Sequence, residues 1–180
     1  MLIERLSPCH AADYRALMLE AYAALPEAFT STVAERESLP LTWWETRLSA
    51  DPAADRLVLG ALDGGELVGV AGLSFQSREK ARHKAVVFGM YVRPAWRSRG
   101  IGRQLLLSAL AHARERPSVK VLQLTVTEGN APAVALYESC AFVSFGVEPL
   151  AVAVGSQYLA KVHMWRRIDP EEGAGSTSRA

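Results

Sequence analysis

The stretch between Ala85 and Pro117 constrains this chain more than any other. A β-rich run, Ala85–Arg93, stops at Pro94, and a short arginine-bearing loop follows. From Gly100 to Arg116 the residues Ile101, Leu105, Leu106, Ala109, Leu110 and Ala113 recur at the spacing of one helix face, until Pro117 breaks it. An extended run that feeds straight into a one-sided helix needs a sheet for that helix to lie on. That is the arrangement of an α/β domain.

The flanking segments supply the rest of the sheet. Leu2–Leu6 reads as a short strand, and Ser7 or Pro8 opens a helical stretch that closes at Pro26. Residues 29–40 are polar and read as irregular. A second helix is expected over Leu41–Ala50, where only one of the adjacent Trp43 and Trp44 can face the core with Leu48. Arg56–Leu62 and Glu66–Phe75 are joined by Asp63-Gly64-Gly65, a hairpin signal. Val119–Val126 reads as a buried strand and Asn130–Cys140 as a short helix. Phe142–Val147 and Tyr158–Ile168 read as two final strands joined by a glycine-bounded link, Gly146–Gly155. The order β-α-α-β-β-β-α-β-α-β-β predicts a mixed central sheet flanked by helices in one domain over residues 1–168. Residues 169–180, rich in Gly, Ser and Glu, read as a flexible tail.

Composition excludes several classes. With 180 residues, 49% of them apolar, the chain is long enough for one self-sufficient core. Cys9 and Cys140 form no CxxC pair, which argues against a zinc ribbon and a disulfide framework and suits a cytoplasmic location. The sequence MLIERLSPCH has no apolar signal core, and no uncharged apolar run approaches about 18 residues, so no membrane span is expected. The net charge of +1 hides a basic block: residues 78–103 hold eight Lys and Arg against Glu79 alone. Nucleic acid fits this poorly, because the rest of the chain is not basic and the block has few interleaved stacking aromatics, Tyr91 and Trp96 among them. A small phosphorylated ligand fits better.

The turn Arg97-Ser98-Arg99-Gly100-Ile101-Gly102-Arg103 marks where it would sit. A helix start leaves backbone N–H groups unpaired and carries about half a positive charge, which draws phosphate. Gly100 and Gly102 lack a Cβ and allow an anion to approach closely, while Arg97, Arg99 and Arg103 add mobile charge. The sequence is neither a P-loop nor a dinucleotide GxGxxG, since Leu105 stands where the third glycine would be. A solvated basic turn is the plainer alternative.

Two motifs at their mutual spacing decide between them. Arg97-x-x-Gly100-x-Gly102, following Met90-Tyr91-Val92-x-Pro94, resembles the acetyl-CoA motif of the GNAT family of N-acetyltransferases. Downstream, Asn130-Ala131-Pro132-Ala133-Val134-Ala135-Leu136-Tyr137-Glu138-Ser139-Cys140-Ala141-Phe142 resembles the family's second motif, with Ala141 where a glycine is usual. The resemblance spans about residues 1–168. It implies a GNAT-like fold in which two splayed strands form an acetyl-CoA slot, no metal, and transfer of an acetyl group to a primary amine by direct attack on the thioester. The acceptor is a small molecule or a protein N-terminus or lysine. A non-catalytic acyl-CoA sensor of the same fold is the alternative, and homodimers are common in the family.

The resemblance also assigns residues. The pyrophosphate would lie on Arg97, Ser98, Arg99, Gly100, Ile101, Gly102 and Arg103. The pantetheine arm would pair with the backbone of Met90, Tyr91 and Val92 like an added strand. Gly89 would mark the bulge that splays this strand. Asn130 either caps its helix or touches the cofactor, and Tyr137 is the general acid. The loop Pro26-Glu27-Ala28-Phe29 resembles the acceptor-side loop of small-molecule members. No carboxylate stands at Phe88–Tyr91 to act as base; Glu128, His83 and His163 remain as alternatives.

Overall fold

The computed structural model describes residues 1–168; the expected tail, 169–180, lies outside them. Seven strands, β1 (Leu2–Arg5), β2 (Arg56–Asp63), β3 (Glu66–Phe75), β4 (Lys84–Val92), β5 (Val121–Thr127), β6 (Val143–Val154) and β7 (Gln157–Arg167), form one sheet. Their order is β1-β2-β3-β4-β5-β7-β6, and only the β4–β5 pair is parallel. The β2–β3 hairpin turns on Gly64 and Gly65, both at positive φ as a tight two-residue turn requires.

Side-chain alternation sorts the core into two layers. Leu57, Leu59 and Ala61 of β2 join Ile101, Leu105, Leu106, Ala109, Leu110 and Ala113 of α4 (Ile101–Arg114) on one face. Tyr137 of α5 (Ala131–Ser139) packs on that face too. Val58 of β2 and Leu67 and Val70 of β3 face the other way. They meet Tyr14, Leu17, Met18 and Ala21 of α1 (Ala11–Ala24). Trp44 of α3 (Leu41–Glu45) is 1% exposed in this second layer, whereas Trp43 is only partly buried, so the pair divides between core and surface as expected.

Three segments differ from their sequence reading. Residues 29–40 contain a helix, α2 (Val33–Glu37), because Thr32 and Glu35 exchange side-chain and backbone hydrogen bonds at its start. The helix expected to reach Ala50 stops at Glu45 and tightens to a 3₁₀ turn over Thr46–Leu48. Gly146–Gly155 is not a link but most of β6, which turns at Gly155-Ser156 into β7. Its register against β7 slips twice, between Ser144 and Gly146 and between Glu148 and Val152, with Leu150 at φ +54°. Those slips erase the two-residue alternation by which a strand is recognised.

Ala141, after α5, sits at φ +60°, so it holds the left-handed turn where glycine is usual. That conformation costs a residue with a Cβ about 1–2 kcal/mol. Ala141→Gly is expected to stabilise the protein by about 1 kcal/mol, raising Tm by about 2–4 °C for a chain of this size in a thermal melt. An unchanged or lower Tm would show that the turn carries no such strain.

Candidate active site

The site begins where β4 leaves β5. The two strands pair only at Lys84↔Val121, Ala85↔Leu122 and Val86↔Gln123, and then part. On its other edge β4 stays paired with β3, but Tyr91 faces Val70 and Phe88 faces Gly72, so Gly89 and Met90 together oppose Ala71. Gly89 takes φ +60° in this bulge. The Phe88 ring lies over Gly72 so closely that a Cβ there would come within 2.4 Å of it. Beyond Val86, therefore, the β5-side backbone of β4 has no strand partner in β5. Met90, Tyr91 and Val92 line this opening.

Side chains pin the turn that follows. Arg93 bridges Glu20, at 2.9 Å, and Glu66, and the Tyr91 hydroxyl donates to Glu20 at 3.0 Å. Trp96 Nε1 donates to Asp63 Oδ2 at 3.2 Å. Arg97 folds back to donate to the Val92 carbonyl at 2.9 Å, its guanidinium 5.7 Å from the Tyr91 ring. Ser98 and Gly100 both take positive φ, +61° and +76°, as the chain swings into α4. The amides of residues 98–103 take no hydrogen-bond partner among the described residues; the first bond of the helix is Gln104 N–H to Gly100 C=O. Arg99 and Arg103 are exposed beside these amides.

The two glycines divide their work. A Cβ on Gly100 would meet nothing within 4 Å, so its glycine serves the left-handed backbone and leaves open space. A Cβ on Gly102 would lie 3.1 Å from Leu136 Cδ2 and 3.2 Å from Met90 Cε. Gly102 thus also lets α4 close onto α5 and β4, a packing role that the sequence did not reveal.

Tyr137 is brought to the opening by α5. Asn130 caps that helix, its Oδ1 accepting from the Ala133 amide at 3.2 Å. The buried Tyr137 hydroxyl points at Met90 Sδ, 3.9 Å away, and burial pushes its pKa up to about 12. Met90 therefore touches both the α4 start and the α5 hydroxyl. The three base alternatives separate. His83 lies at the end where β4 and β5 are still paired, its carbonyl accepting from Lys120 and Val121. Glu128 is exposed just past β5. His163, on β7, bonds through Nε2 to Glu148 Oε2 at 3.0 Å.

Sequence reasoning missed what closes the opposite side. Thr127 Oγ1 donates to the Glu27 carbonyl at 2.7 Å, and the buried Lys161 Nζ donates to the Ala28 carbonyl at 3.0 Å. Desolvation lowers the Lys161 pKa. These bonds tie the Pro26–Phe29 loop to β5 and β7, where Lys161 and His163 share one face. The loop lines a cavity of about 450 Å³ with Tyr22 and Phe29 on one wall and Ala151–Gly155 of the β6 end on the other. Among the described residues no group of His, Cys, Asp and Glu is arranged to hold a metal, and no helix is long and apolar enough to cross a membrane.

The chain and its fold are similar to known proteins. The model of the acetyltransferase (GNAT) family matches residues 18–142. An L-amino acid N-acetyltransferase of Escherichia coli, AaaT, is 28% identical over 154 residues, 86% of this chain and 91% of its own. A GNAT-family acetyltransferase of Streptococcus pneumoniae superimposes with a TM-score of 0.81 at 25% identity, covering 93% of this chain and 99% of that one. The yncA protein of Salmonella typhimurium, solved with its cofactor acetyl-CoA, has a TM-score of 0.75 at 21% identity, covering 98% of both chains.

Proposed function

The chain belongs to the GNAT acetyltransferase family and is an N-acetyltransferase, and from that premise we propose how its own residues carry acetyl-CoA and the acceptor amine. One observation carries the reading: β4–β5 pairing ends at Val86↔Gln123, and the Tyr137 hydroxyl and the unpartnered amides before α4 border the gap. The pyrophosphate sits on the amides of residues 98–103, with Arg97, Arg99 and Arg103 at its rim. The pantetheine arm adds to the free edge of Met90–Val92 as a strand would, which brings the thioester to the bulge at Gly89. Asn130 acts by capping α5 and so aiming Tyr137.

The amine attacks the thioester carbonyl carbon, and collapse of the tetrahedral adduct breaks the C–S bond. Coenzyme A leaves as a thiolate whose conjugate acid titrates near the ~8.5 of a cysteine thiol, so proton donation helps without being indispensable. Tyr137, neutral through the physiological range, gives that proton and regains one from the nitrogen of the adduct, which loses it, through water, on becoming the amide. The proton of the incoming ammonium passes through water to His163, which Glu148 holds on the face that carries Lys161. His163→Gln is expected to lower kcat/KM about 10–100-fold at neutral pH, with the acetyl-CoA Kd nearly constant. Unaltered turnover by this variant removes His163 from the mechanism.

The domain in this reading spans residues 1–168, and every residue named comes from one chain, so a homodimer is compatible with the site but not needed to complete it. The free Cys9 and Cys140 fit a cytoplasmic enzyme. The test is coenzyme A release from acetyl-CoA across polyamines, aminoglycosides, amino acids and peptides with free N-termini. Release with at least one amine, and acetylated product by mass spectrometry, is the expected result.

A further inference from the structure

The bulge of β4 leaves room for a methyl group beside Gly89. A Cβ at this position would lie 3.9 Å from Met18 Cε, which is ordinary van der Waals contact. Apart from Phe88 and Met90, the chain neighbours of Gly89, no other described residue comes within 4 Å of that point. One carbon therefore fits between the Gly89 backbone and Met18. A second carbon in line with it would overlap the Met18 side chain.

The backbone alone does not demand glycine here. Ser98, Ala141 and Leu150 hold φ of +61°, +60° and +54° in this same chain, close to the +60° of Gly89. What glycine alone supplies at position 89 is the empty Cβ position. The wall behind that space is firm. Met18, on α1, is 2% exposed and belongs to the layer that holds Tyr14, Leu17 and Ala21 of its own helix, Val70 of β3 and Tyr91 of β4, all buried. A core packed at native density resists even one added methylene.

Resting on the donor site proposed above, which brings the thioester to this bulge, we propose that Met18 sets the length of the acyl group the enzyme accepts. The acetyl methyl takes the empty Cβ position of Gly89 and ends against Met18 Cε. The extra carbon of a propionyl group meets Met18, and a butyryl group brings two. Refusing one methylene is worth about 10–200-fold at a packed site. The unbranched thioether of methionine adapts better than a branched side chain, which places this site toward the low end.

Calorimetry with coenzyme A, acetyl-CoA, propionyl-CoA and butyryl-CoA tests this without knowledge of the acceptor. The native chain is expected to bind butyryl-CoA about 10-fold more weakly than acetyl-CoA, with propionyl-CoA between them. Met18→Ala, which lengthens the space, should bring acetyl-CoA and butyryl-CoA within about threefold of each other. Gly89→Ala, which fills the space, should bind coenzyme A as the native chain does and acetyl-CoA about 10-fold more weakly. The same order should appear in kcat/KM for coenzyme A release with any amine the panel identifies. Met18→Ala removes buried atoms, so a thermal melt accompanies it, and Gly89→Ala decides the matter if that variant does not fold. Equal affinity of the native chain for acetyl-CoA and butyryl-CoA overturns the proposal. So does a native preference kept by folded Met18→Ala, or native acetyl-CoA binding by Gly89→Ala. Each of these leaves the donor site standing. A native chain that binds none of the four ligands overturns the donor site and the proposal together.

Discussion

Gly100→Asn is expected to bind acetyl-CoA about 10–100-fold more weakly than the native chain while melting within a few degrees of it. The substitution separates two jobs that glycine does at this position. At φ +76° most side chains are strained, but asparagine tolerates the left-handed region, so the turn survives. Inside the protein a Cβ at 100 meets nothing within 4 Å, so the new side chain displaces no neighbour. It extends instead into the open space over the unpartnered amides at the head of α4, where the pyrophosphate would lie. Losing one charge-assisted hydrogen bond costs about 1.5–3 kcal/mol, which sets the size of the expected loss. Gly100→Val adds the strain of a β-branched residue at positive φ and would lower stability as well. Gly102 makes a poorer probe, because a Cβ there presses on Leu136 and Met90. A folded Gly100→Asn protein whose calorimetric Kd lies within twofold of native would remove the pyrophosphate from this turn.

What could be read from the residues alone follows the range of the interactions involved. The α4 face repeats within 14 residues, and the Gly64-Gly65 turn is local, so both stand out in the sequence. Thr32 and Glu35 carried a legible helix start, but the polar composition around them hid it. The middle of β6 was illegible for a physical reason: two register slips break the alternation that identifies a strand. The expected donor side depends on one strand–turn–helix unit and a second motif, and of its residues Gly102 and Tyr137 come up against Met90. The side closed by the 26–29 loop depends on register between distant segments. Thr127 reaches Glu27 across 100 residues and Lys161 reaches Ala28 across 133, and no local pattern encodes either bond.

Tyr137→Phe tests the one side chain proposed to move a proton to the leaving group. Its hydroxyl has a single weak partner among the described residues, Met90 Sδ at 3.9 Å, so deleting one oxygen should leave Tm nearly unchanged at neutral pH. At high pH the two proteins should diverge. A phenol whose pKa rises from about 10 unfolded to about 12 folded contributes its full stability below pH 10 and loses it as pH climbs toward 12. The phenylalanine variant should lack that alkaline loss. For the same reason no fall in kcat below about pH 10 can come from ionisation of Tyr137. If the hydroxyl protonates the departing thiolate, kcat should fall about 10–100-fold with the acetyl-CoA Kd almost constant. A synthetic thioester with a more acidic thiol needs the proton less, so it should recover part of the lost rate in the variant. Packing alone predicts the opposite pattern, with turnover within about twofold of native, or stability and activity lost together. Normal turnover by Tyr137→Phe on the true acceptor would therefore end its role as the acid. Acetyl transfer itself would stand, because water can protonate so good a leaving group once Met90–Val92 and the amides before α4 have positioned the thioester.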